Sequence, residues 1–441
     1  MKILVLTNLY PPHQADTNDF RCEKVTESLR LRGHELRVLT STHGMNAEQT
    51  GGNVERRMWL NGVYDHPLVT GFGDVKKLET HNHRVLSETV ASFQPDVIHV
   101  WSLHGLSKSL VFALRNSRLP VVYDVADRWL AVELRQDPWL RWWNRPGGPI
   151  LSKLWRSSLE LTGQRNRFDE SAPTRLMKGY DRMVNVYGGE AALANVPSNS
   201  IGAFRFDRLY FCSQSLKDET AQAGFRVDHA EVIRPGIATE HYVGEIKSAS
   251  VPVMKLLTVA RLDKQSGVLT AVKALHAVRA VQSKTTLSIY GKGDSDYVAE
   301  VRSFAATHHL PVEFLPVSNL VRDLPAVYRR HDALLHTAEW NEPFNLHVLE
   351  AMACGLPVVG TALAGTLELF RHGENALTYV PGNAEELAAR ILEIQTQPAL
   401  RVQMAETAQQ EVLTRFNETV VIDQIENHLD TSRQIWTQTA S

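Results

Sequence analysis

Short apolar segments alternate with helix-like stretches along most of the chain, and this alternation restricts the fold more than any other feature. Residues 2–7 form a continuous apolar run, and Val25 and Leu29 then recur at helical spacing before Gly33. A second apolar strand is predicted at residues 36–39. A strand, a helix and a strand in this order form a βαβ unit. Uninterrupted apolar strands predict a parallel sheet that is covered on both faces.

The alternation runs through two successive series, so the sequence predicts two doubly wound α/β domains. The further strands of the first series are predicted at 96–100, 120–124, 208–212 and 230–233. The strands of the second series are predicted at 254–260, 286–290, 333–336 and 357–360. We place the domains at 1–240 and 250–415, with a final helix within 416–441. Because ligands of such sheets bind beyond the carboxyl ends of the strands, we expect the site in a cleft between two facing sheets.

Composition excludes several classes of protein. The chain has 441 residues, of which 43% are hydrophobic and 22% are charged, as in soluble globular proteins and unlike disordered or collagen-like chains. The net charge is -2, which argues against a duplex-DNA binder. No apolar run approaches the roughly 18 residues of a membrane helix, and the N-terminal run lacks a signal-peptide cleavage pattern. We therefore expect a cytoplasmic protein, at most peripheral on a membrane.

The three cysteines predict neither a zinc site nor a disulfide framework. Cys22, Cys212 and Cys354 lie far apart, and no pair has C-x-x-C spacing. Free thiols are typical of a reducing compartment. This agrees with the expected cytoplasmic location.

The segment 342–359 is the most informative part of the chain. It reads E-P-F-N-L-H-V-L-E-A-M-A-C-G-L-P-V-V, and it predicts a helix with Pro343 at its first position and its end at Gly355. Free N–H groups and the helix dipole at such a start suit an anion such as a diphosphate. Glu342 precedes the helix and Glu350 lies about two turns into it, and each carboxylate is able to accept two hydroxyl hydrogen bonds from a polyol. The alternative is a capped helix with two solvated glutamates.

This segment resembles the E-x7-E region of the retaining glycosyltransferases of family four, which have the GT-B fold. The resemblance covers nearly the whole chain. The other motifs that carry it are Tyr10-Pro11-Pro12-His13, Arg32-Gly33-His34-Glu35, Val259-Ala260-Arg261-Leu262 with Gly267, Gly360-Thr361, Gly365–Glu368 and Gly373-Glu374-Asn375-Ala376-Leu377.

The resemblance implies a set of donor-binding roles. Glu342 contacts the donor sugar, Glu350 holds the ribose hydroxyls, and Arg261 binds the diphosphate and stabilises it as the leaving group. The residues that offer backbone N–H groups to the donor are Phe344, Asn345 and Leu346. The residues implied beside the base are Gly291, Gly293 and Val317.

The resemblance also implies the overall plan and the reaction. Two Rossmann-like domains face each other across a cleft, and the C-terminal helix within 416–441 crosses back to the first domain. A sugar moves from a nucleotide-sugar donor to a glycan, a lipid-linked or a small-molecule acceptor, with retention and with neither a metal nor a further cofactor. Positive charge from arginine and a helix N-terminus suits a diphosphate leaving group in a site without metal.

Two parts of the donor site depart from the family pattern. The loop after the first strand usually carries a glycine pair near the donor phosphates, and here Asp16 and Thr17 occupy those places. The phosphate-binding lysine five residues after Arg261 is replaced by Ser266, although Lys264 is close by. These departures keep open a second hypothesis, a non-catalytic or repurposed GT-B protein that binds a nucleotide or glycan. A sugar-nucleotide epimerase is a weaker third, since the segment 342–359 argues against it.

A third departure concerns a histidine. The family often has a histidine two residues after the position of His99, where this chain has Trp101, and the next histidine is His104. His104 is either a donor-sugar contact displaced along the loop or a solvent-facing histidine at a helix start.

Two other polar clusters are expected to be structural. Asp294-Ser295-Asp296 looks like the D-x-D metal motif of the other glycosyltransferase fold, but a polar turn and a helix cap explain it. His81-Asn82-His83 lies in a polar helical stretch without further ligands nearby, so we expect a solvated face. No metal site is predicted.

The region 129–156 interleaves tryptophans with arginines. Its members are Trp129, Trp139, Trp142, Trp143 and Trp155 with Arg135, Arg141, Arg145 and Arg156. Such a segment suits contact with an anionic membrane, a wall of the acceptor site, or an insertion that buries its tryptophans.

Overall fold

The structure is a computed structural model of the chain. It describes residues 1–13, 17–69, 72–130, 154, 158, 161, 206, 208–223, 225–317 and 320–440. The chain divides into two compact units, of which the first comprises Met1–Ile233 with Gln424–Ser441 and the second comprises Arg234–Asp423. The main segment of the first unit ends at Ile233, which is seven residues before 240, the predicted end of the first domain.

The first unit contains a seven-stranded parallel sheet with the order β3-β2-β1-β4-β5-β6-β7. The strands are β1 (Lys2–Leu6), β2 (Glu35–Ser41), β3 (Val54–Met58), β4 (Val97–Val100), β5 (Val121–Val125), β6 (Arg208–Phe211) and β7 (Glu231–Val232). Its described helices are α1 (Thr17–Leu31), α2 (Phe72–Phe93), α3 (Leu110–Asn116) and α4 (Gln214–Gln222). The strand order reverses between β1 and β4, as in doubly wound folds.

The second unit repeats this plan with six parallel strands in the order β10-β9-β8-β11-β12-β13. The strands are β8 (Lys255–Val259), β9 (Thr286–Tyr290), β10 (Val312–Leu315), β11 (Ala333–His336), β12 (Val358–Thr361) and β13 (Leu377–Tyr379). The helices are α5 (Thr239–Tyr242), α6 (Val268–Arg279), α7 (Ser295–Thr307), α8 (Leu320–Arg330), α9 (Leu346–Ala353), α10 (Ala384–Thr396) and α11 (Pro398–Arg415). The order reverses between β8 and β11.

These sheets confirm the predicted fold of two doubly wound parallel α/β domains. The strands β3, β10 and β13 were not predicted, and each is an edge strand of its sheet. The β3 sequence, Val-Glu-Arg-Arg-Met, is too polar to resemble a buried strand. Edge strands are commonly short and charged, which protects them from pairing with other chains.

The last helix, α12 (Glu418–Ala440), supplies its C-terminal part to the first unit. Glu426 accepts a hydrogen bond from Arg32 at 2.5 Å and lies 2.7 Å from the His34 Nε2. His428 lies 3.0 Å from Glu231. These contacts are consistent with the expected return of the C-terminal helix to the first domain.

A buried polar network joins three strands of the first unit to α1. Arg21 forms an ion pair with Asp124 at 2.6 Å, and both side chains are almost fully buried. The Tyr210 hydroxyl donates to Asp124 at 3.0 Å and lies 2.9 Å from the His99 Nε2. Removing one partner of a buried ion pair typically costs about 3–5 kcal/mol, so this network fixes α1 against the sheet.

The remaining sequence predictions at this level concern thiols and membranes. Cys22, Cys212 and Cys354 are buried free cysteines. Across the described ranges, no helix is both long and apolar enough to span a bilayer.

Buried neutral histidines make stability depend on pH. Burial lowers the pKa of His99 to about 3, assisted by the Arg21 charge, and lowers the pKa of His83 and His336 to about 4. An unfolded histidine has a pKa of about 6.5. Below that value the unfolded chain binds protons that the folded chain does not, so stability falls as the pH decreases from 6.5 towards these folded values.

We predict that His99→Gln reduces this pH dependence. Gln keeps hydrogen-bonding groups near Tyr210 but does not titrate. The free energy of unfolding lost between pH 7 and pH 5 should therefore be about 2 kcal/mol smaller than in the wild type. Urea unfolding at both pH values, followed by tryptophan fluorescence, measures it, with exposed His241→Gln as the control. An unchanged pH dependence in His99→Gln would contradict the assignment.

Candidate functional site

In the second unit, the loops after β8 and β11 leave neighbouring strands at the point where the strand order reverses. This is where ligands of open α/β sheets bind. Arg261 lies in the loop after β8, and Glu342 lies in the loop after β11. The predicted donor residues of this unit therefore follow strands that pair directly with each other.

The helix after β11 differs in detail from the prediction. Its N-cap is Asn345, whose side-chain oxygen accepts from the Val348 N–H at 3.0 Å, so α9 begins at Leu346 and Pro343 precedes it. Glu350 consequently lies about one turn into the helix, not two. The Asn345 amide also donates to Glu342 at 2.7 Å, which joins the cap to the first glutamate.

Glu350 is held by three side chains. The Tyr242 hydroxyl donates to Oε1 at 3.0 Å, and the Tyr328 hydroxyl donates to Oε2 at 2.8 Å. The His347 Nδ1 lies 2.9 Å from Oε2. Glu350 is 6% exposed, so the alternative of a solvated glutamate is wrong for this residue. A carboxylate has about four acceptor positions, so one remains available on Oε1.

Glu342 lies in the electrostatic field of two cationic groups. Burial raises its pKa, and the Asn345 hydrogen bond and the charges of His347 and Arg261 oppose that rise. Burial alone would lower the pKa of His347, but Glu350 and Glu342 together outweigh it and raise the pKa above its usual range. The structure thus brings Glu342, Glu350, Arg261 and His347 into one cluster of ionisable groups.

The loop after β8 presents Arg261 to solvent. Its side chain is 69% exposed and pairs through Nε with Asp263, which leaves both terminal nitrogens of the guanidinium accessible. Asp263 caps the short turn Lys264–Ser266 by accepting from the Ser266 N–H at 3.0 Å. Lys264 is exposed on this turn, whereas Ser266 is buried and donates its hydroxyl to the Asp263 carbonyl.

Glycines fix the path of this loop. A Cβ at Gly291 would lie 1.8 Å from the Ala260 carbonyl oxygen, and one at Gly293 would lie 2.1 Å from that of Leu262. Both glycines thus allow the loop after β9 to approach the loop that carries Arg261. Close backbone packing accounts for them, and their predicted place beside a base stays a prediction.

The other predicted donor contacts are half-buried or buried around α9. Phe344 and Leu346 pack against the core cluster of this face, as does Val317 after β10. Gly365 lies close to the loop that precedes α9, because a Cβ at this position would lie 2.0 Å from the Pro343 carbonyl oxygen. The first N–H groups of a helix have no partner within the helix, so the start of α9 is able to receive an anion.

The predicted donor residues of the first unit are only partly described. Asp16 lies outside the described residues, and Thr17 is the first residue of α1. His104 occupies a turn, not a helix start, because α3 begins at Leu110. Its ring meets the Tyr64 ring edge-on at 5.4 Å. Trp101 is buried and donates from its indole to the His99 Nδ1 at 3.2 Å.

The expected solvated face at His81-Asn82-His83 is wrong. His81 is 6% exposed and stacks on Trp59 at 3.8 Å, while Asn82 is fully buried and bonds to the Trp59 backbone. His83 lies 2.6 Å from the Ser109 hydroxyl. These contacts hold α2 against neighbouring parts of the first unit. The local polarity of the sequence did not indicate that these side chains are buried.

Asp294 caps α7 by accepting from the Tyr297 N–H at 2.8 Å, as the cap interpretation of the D-x-D sequence requires. Within the part of the chain that the structure describes, no group of three or more His, Cys, Asp or Glu side chains is arranged to hold a metal ion.

The tryptophan-rich segment is mostly outside the described residues, which include only positions 129, 130 and 154 of 129–156. Trp129 is buried and lies 6.4 Å from the Tyr123 ring. It is therefore part of the core of the first unit and is not available to a membrane. The remaining alternatives for this segment stay predictions.

Two family models match the chain. Residues 250–411 match the model for glycosyl transferases group 1, and residues 20–148 match the glycosyl transferase 4-like domain. A glycogen synthase of Mycobacterium tuberculosis is 30% identical over 214 residues, which are 48% of this chain and 51% of the relative. The amylovoran biosynthesis glycosyltransferase AmsK of Erwinia amylovora is 27% identical over 213 residues, 47% and 52% of the two chains. The chain spans about half the length of the curated relatives it matches.

Solved structures agree with the fold over nearly the whole chain. Alr3699/HepE of Anabaena in complex with UDP has a TM-score of 0.64 at 20% identity and covers 98% of this chain and 100% of its own. The sucrose-phosphate synthase of Thermosynechococcus elongatus has a TM-score of 0.67 at 17% identity, with 99% of each chain covered. The matches and the fold indicate a GT-B protein whose two domains are similar to those of glycosyltransferases. At these identities, the solved structures establish only the fold of this chain.

The three side chains that hold Glu350 were not predicted from the sequence. The spacing of His347 and Glu350 by three positions on a helix was a usable signal, because such residues face each other. Tyr242 and Tyr328 had no comparable signal, since they lie 108 and 22 positions from Glu350 and only the folded chain brings them together.

We predict that Tyr328→Phe destabilises the second unit by about 1.5–3 kcal/mol, because a hydrogen bond to a buried charged group is lost. Tyr379→Phe is the matched control, since the Tyr379 hydroxyl is buried and has no hydrogen-bond partner among the described residues. Urea unfolding of both variants measures the difference. Equal stabilities would show that the Tyr328 hydroxyl does not support Glu350.

Proposed function

We propose that the protein is a retaining, metal-independent glycosyltransferase that moves a sugar from a nucleotide-sugar donor to an acceptor hydroxyl. The observation that carries the proposal is the cluster of Glu342, Glu350, His347 and Arg261 beyond the ends of β8 and β11. It combines acceptors for sugar hydroxyls with cations for phosphate. The two glycosyltransferase family matches support the same reaction class.

Each carboxylate has a distinct part in this proposal. Glu350 is immobilised by Tyr242, Tyr328 and His347, so it offers a fixed acceptor to the ribose hydroxyls. The Glu342 side chain accepts a hydrogen bond from Asn345 and, in this proposal, contacts the hydroxyls of the transferred sugar. A fixed carboxylate loses little conformational freedom on binding, which favours affinity.

The cations support departure of the diphosphate. In the reaction, the bond from the anomeric carbon to the diphosphate oxygen breaks, and a bond to the acceptor oxygen forms on the same face. The acceptor proton passes to the leaving phosphate oxygen. Arg261, Lys264 and the first N–H groups of α9 stabilise the negative charge that develops on the leaving group. His347 adds positive charge beside both glutamates.

The first donor to test is UDP-glucose, since the Anabaena neighbour has been solved in complex with UDP and with UDP-glucose. Calorimetry against a panel of nucleotide sugars then defines the sugar and the base. NMR of the glycoside product tests retention, because the anomeric configuration must equal that of the donor.

We predict that Glu350→Gln and Glu342→Gln separate nucleotide from sugar binding. Glu350→Gln should weaken binding of the bare nucleoside diphosphate by about 1.5–3 kcal/mol. Glu342→Gln should leave nucleotide affinity unchanged and weaken use of the sugar donor by a similar amount. Calorimetry with the diphosphate and initial rates with the nucleotide sugar measure the two effects. The matched control is exposed Glu339→Gln, and wild-type behaviour of both site variants would refute the assignment.

We predict that turnover survives excess EDTA, because protein cations hold the diphosphate in this proposal. Initial rates are compared before and after incubation with EDTA and again after added Mg²⁺ or Mn²⁺. Activity that disappears with EDTA and returns with metal would contradict metal independence. Asp294 and Asp296 would then be the candidate metal ligands.

A second candidate is a GT-B protein that binds nucleotide sugar or glycan without turnover. It is favoured by the pairing of Arg261 with Asp263 and by the buried position of Ser266 in place of a lysine. Donor binding with neither transfer nor donor hydrolysis, across a panel of acceptors, would support this candidate over the enzyme.

A further inference from the structure

A cavity of about 430 Å³ lies at the opposite edge of the second unit's sheet from the candidate donor site. Its walls include residues at the amino ends of three strands, namely Val253 two residues before β8, Asp332 directly before β11 and Pro357 directly before β12. Because these strands are parallel, their amino ends share one edge and their carboxyl ends the other. The cavity is therefore separate from the loops that carry Arg261 and Glu342.

Arg401 is the most unusual residue of this cavity. It lies on α11 and is 4% exposed, yet its charge has no carboxylate partner within ion-pair distance among the described residues. Its Nη2 donates to the Ser248 carbonyl at 2.9 Å. Burial lowers the pKa of Arg401, and Asp332 partly opposes this. A buried guanidinium without a paired anion is unfavourable, so the site suits an incoming anion.

A second arginine lines the same cavity. Arg329 is exposed and donates to the His241 carbonyl at 2.8 Å. No carboxylate within the described part of the chain forms an ion pair with it. Two arginines thus line one cavity, and each guanidinium is a planar set of donors of the kind that binds phosphate.

The acidic residues of the cavity do not neutralise these arginines. Asp332 forms an ion pair with Lys247 at 2.6 Å and accepts from the backbone N–H groups of Met254 and Lys255. Burial would raise the pKa of Asp332, but these donors lower it, so Asp332 stays anionic and is occupied by Lys247. Glu245 is exposed at the rim.

The rest of the lining suits the non-phosphate part of a small ligand. Ile246, Val251 and Val402 provide apolar surface. His331 lies 2.6 Å from the Val327 carbonyl through Nδ1, so this nitrogen carries the proton and Nε2 is an acceptor. Burial lowers the pKa of His331 and keeps this neutral form. A neutral Nε2 accepts from a ligand hydroxyl.

We propose that this cavity is a second ligand site that binds a phosphorylated, hydroxyl-bearing small molecule, with the phosphate at Arg401 and Arg329. Its volume lies within the range of about 300–1,000 Å³ that small-molecule sites occupy. The site is independent of the proposed transferase activity, because none of its lining residues belongs to the donor cluster.

The test uses the full chain with inorganic phosphate and with glucose 6-phosphate as probes. Thermal unfolding and calorimetry are run against sodium chloride of equal ionic strength, which removes non-specific screening. Both probes should raise the melting temperature beyond the chloride control. Arg329→Gln and Arg401→Lys should each weaken binding about ten- to hundredfold, since each loses a charged or forked contact. Arg330→Gln, the adjacent exposed arginine outside the cavity, should bind as the wild type does.

Three results would overturn the proposal. The first is no stabilisation beyond chloride, and the second is unchanged binding in both cavity variants. The third is loss of binding in Arg261→Gln with retention in Arg329→Gln, which would locate the phosphate in the donor site. If Arg401→Lys fails to fold, Arg329→Gln decides, because Arg329 is exposed and its replacement leaves the core intact. Donor binding is measured separately with UDP, so failure of the donor site and failure of this site are distinguishable.

Discussion

The Glu350 carboxylate is the interaction on which the site of the second unit depends. A carboxylate that is only 6% exposed would be costly without donors, and three side chains supply them. Tyr242 comes from α5, Tyr328 from α8 and His347 from α9 itself, so one carboxylate joins three helices. The same interaction raises the pKa of His347, and the charge of protonated His347 opposes the rise that burial causes in the pKa of Glu342. The position of α9, the orientation of the cap at Asn345 and the charge of the cluster are therefore linked.

The sequence was sufficient to predict the central strands and to single out the segment that carries the two glutamates, and the reason is physical. Central parallel strands are covered on both faces and must be apolar, so 2–7 and 286–290 were recognisable as strands. Edge strands such as Val54–Met58 have no such requirement and were missed. The glutamates were found because they belong to one short segment. Tyr242 and Tyr328 were not, since their contact with Glu350 exists only in the folded chain.

Where the structure differs from the local sequence pattern, side-chain hydrogen bonds are the common cause. Pro343 suits the first turn of a helix, but the Asn345 side chain satisfies the Val348 N–H, and the helix therefore begins three residues later. His81 and Asn82 are polar, but backbone groups of Arg57 and Trp59 satisfy them in the interior. Polarity predicts exposure only where no buried partner is available.

Ser266 stands where the family that the chain resembles has a phosphate-binding lysine, and the contacts of Ser266 bear on whether a lysine would fit there. Its hydroxyl completes the turn by donating to the Asp263 carbonyl, and its own carbonyl accepts from Thr337 at 2.7 Å. A lysine side chain here would have to leave a buried position and would lose the first of these bonds. Gly267 follows with φ 65 and would place a Cβ 1.9 Å from the Thr337 carbonyl oxygen, so the turn cannot easily shift. In the proposed function, the cationic charge for the diphosphate therefore comes from Arg261 and Lys264, which are both exposed, and not from position 266.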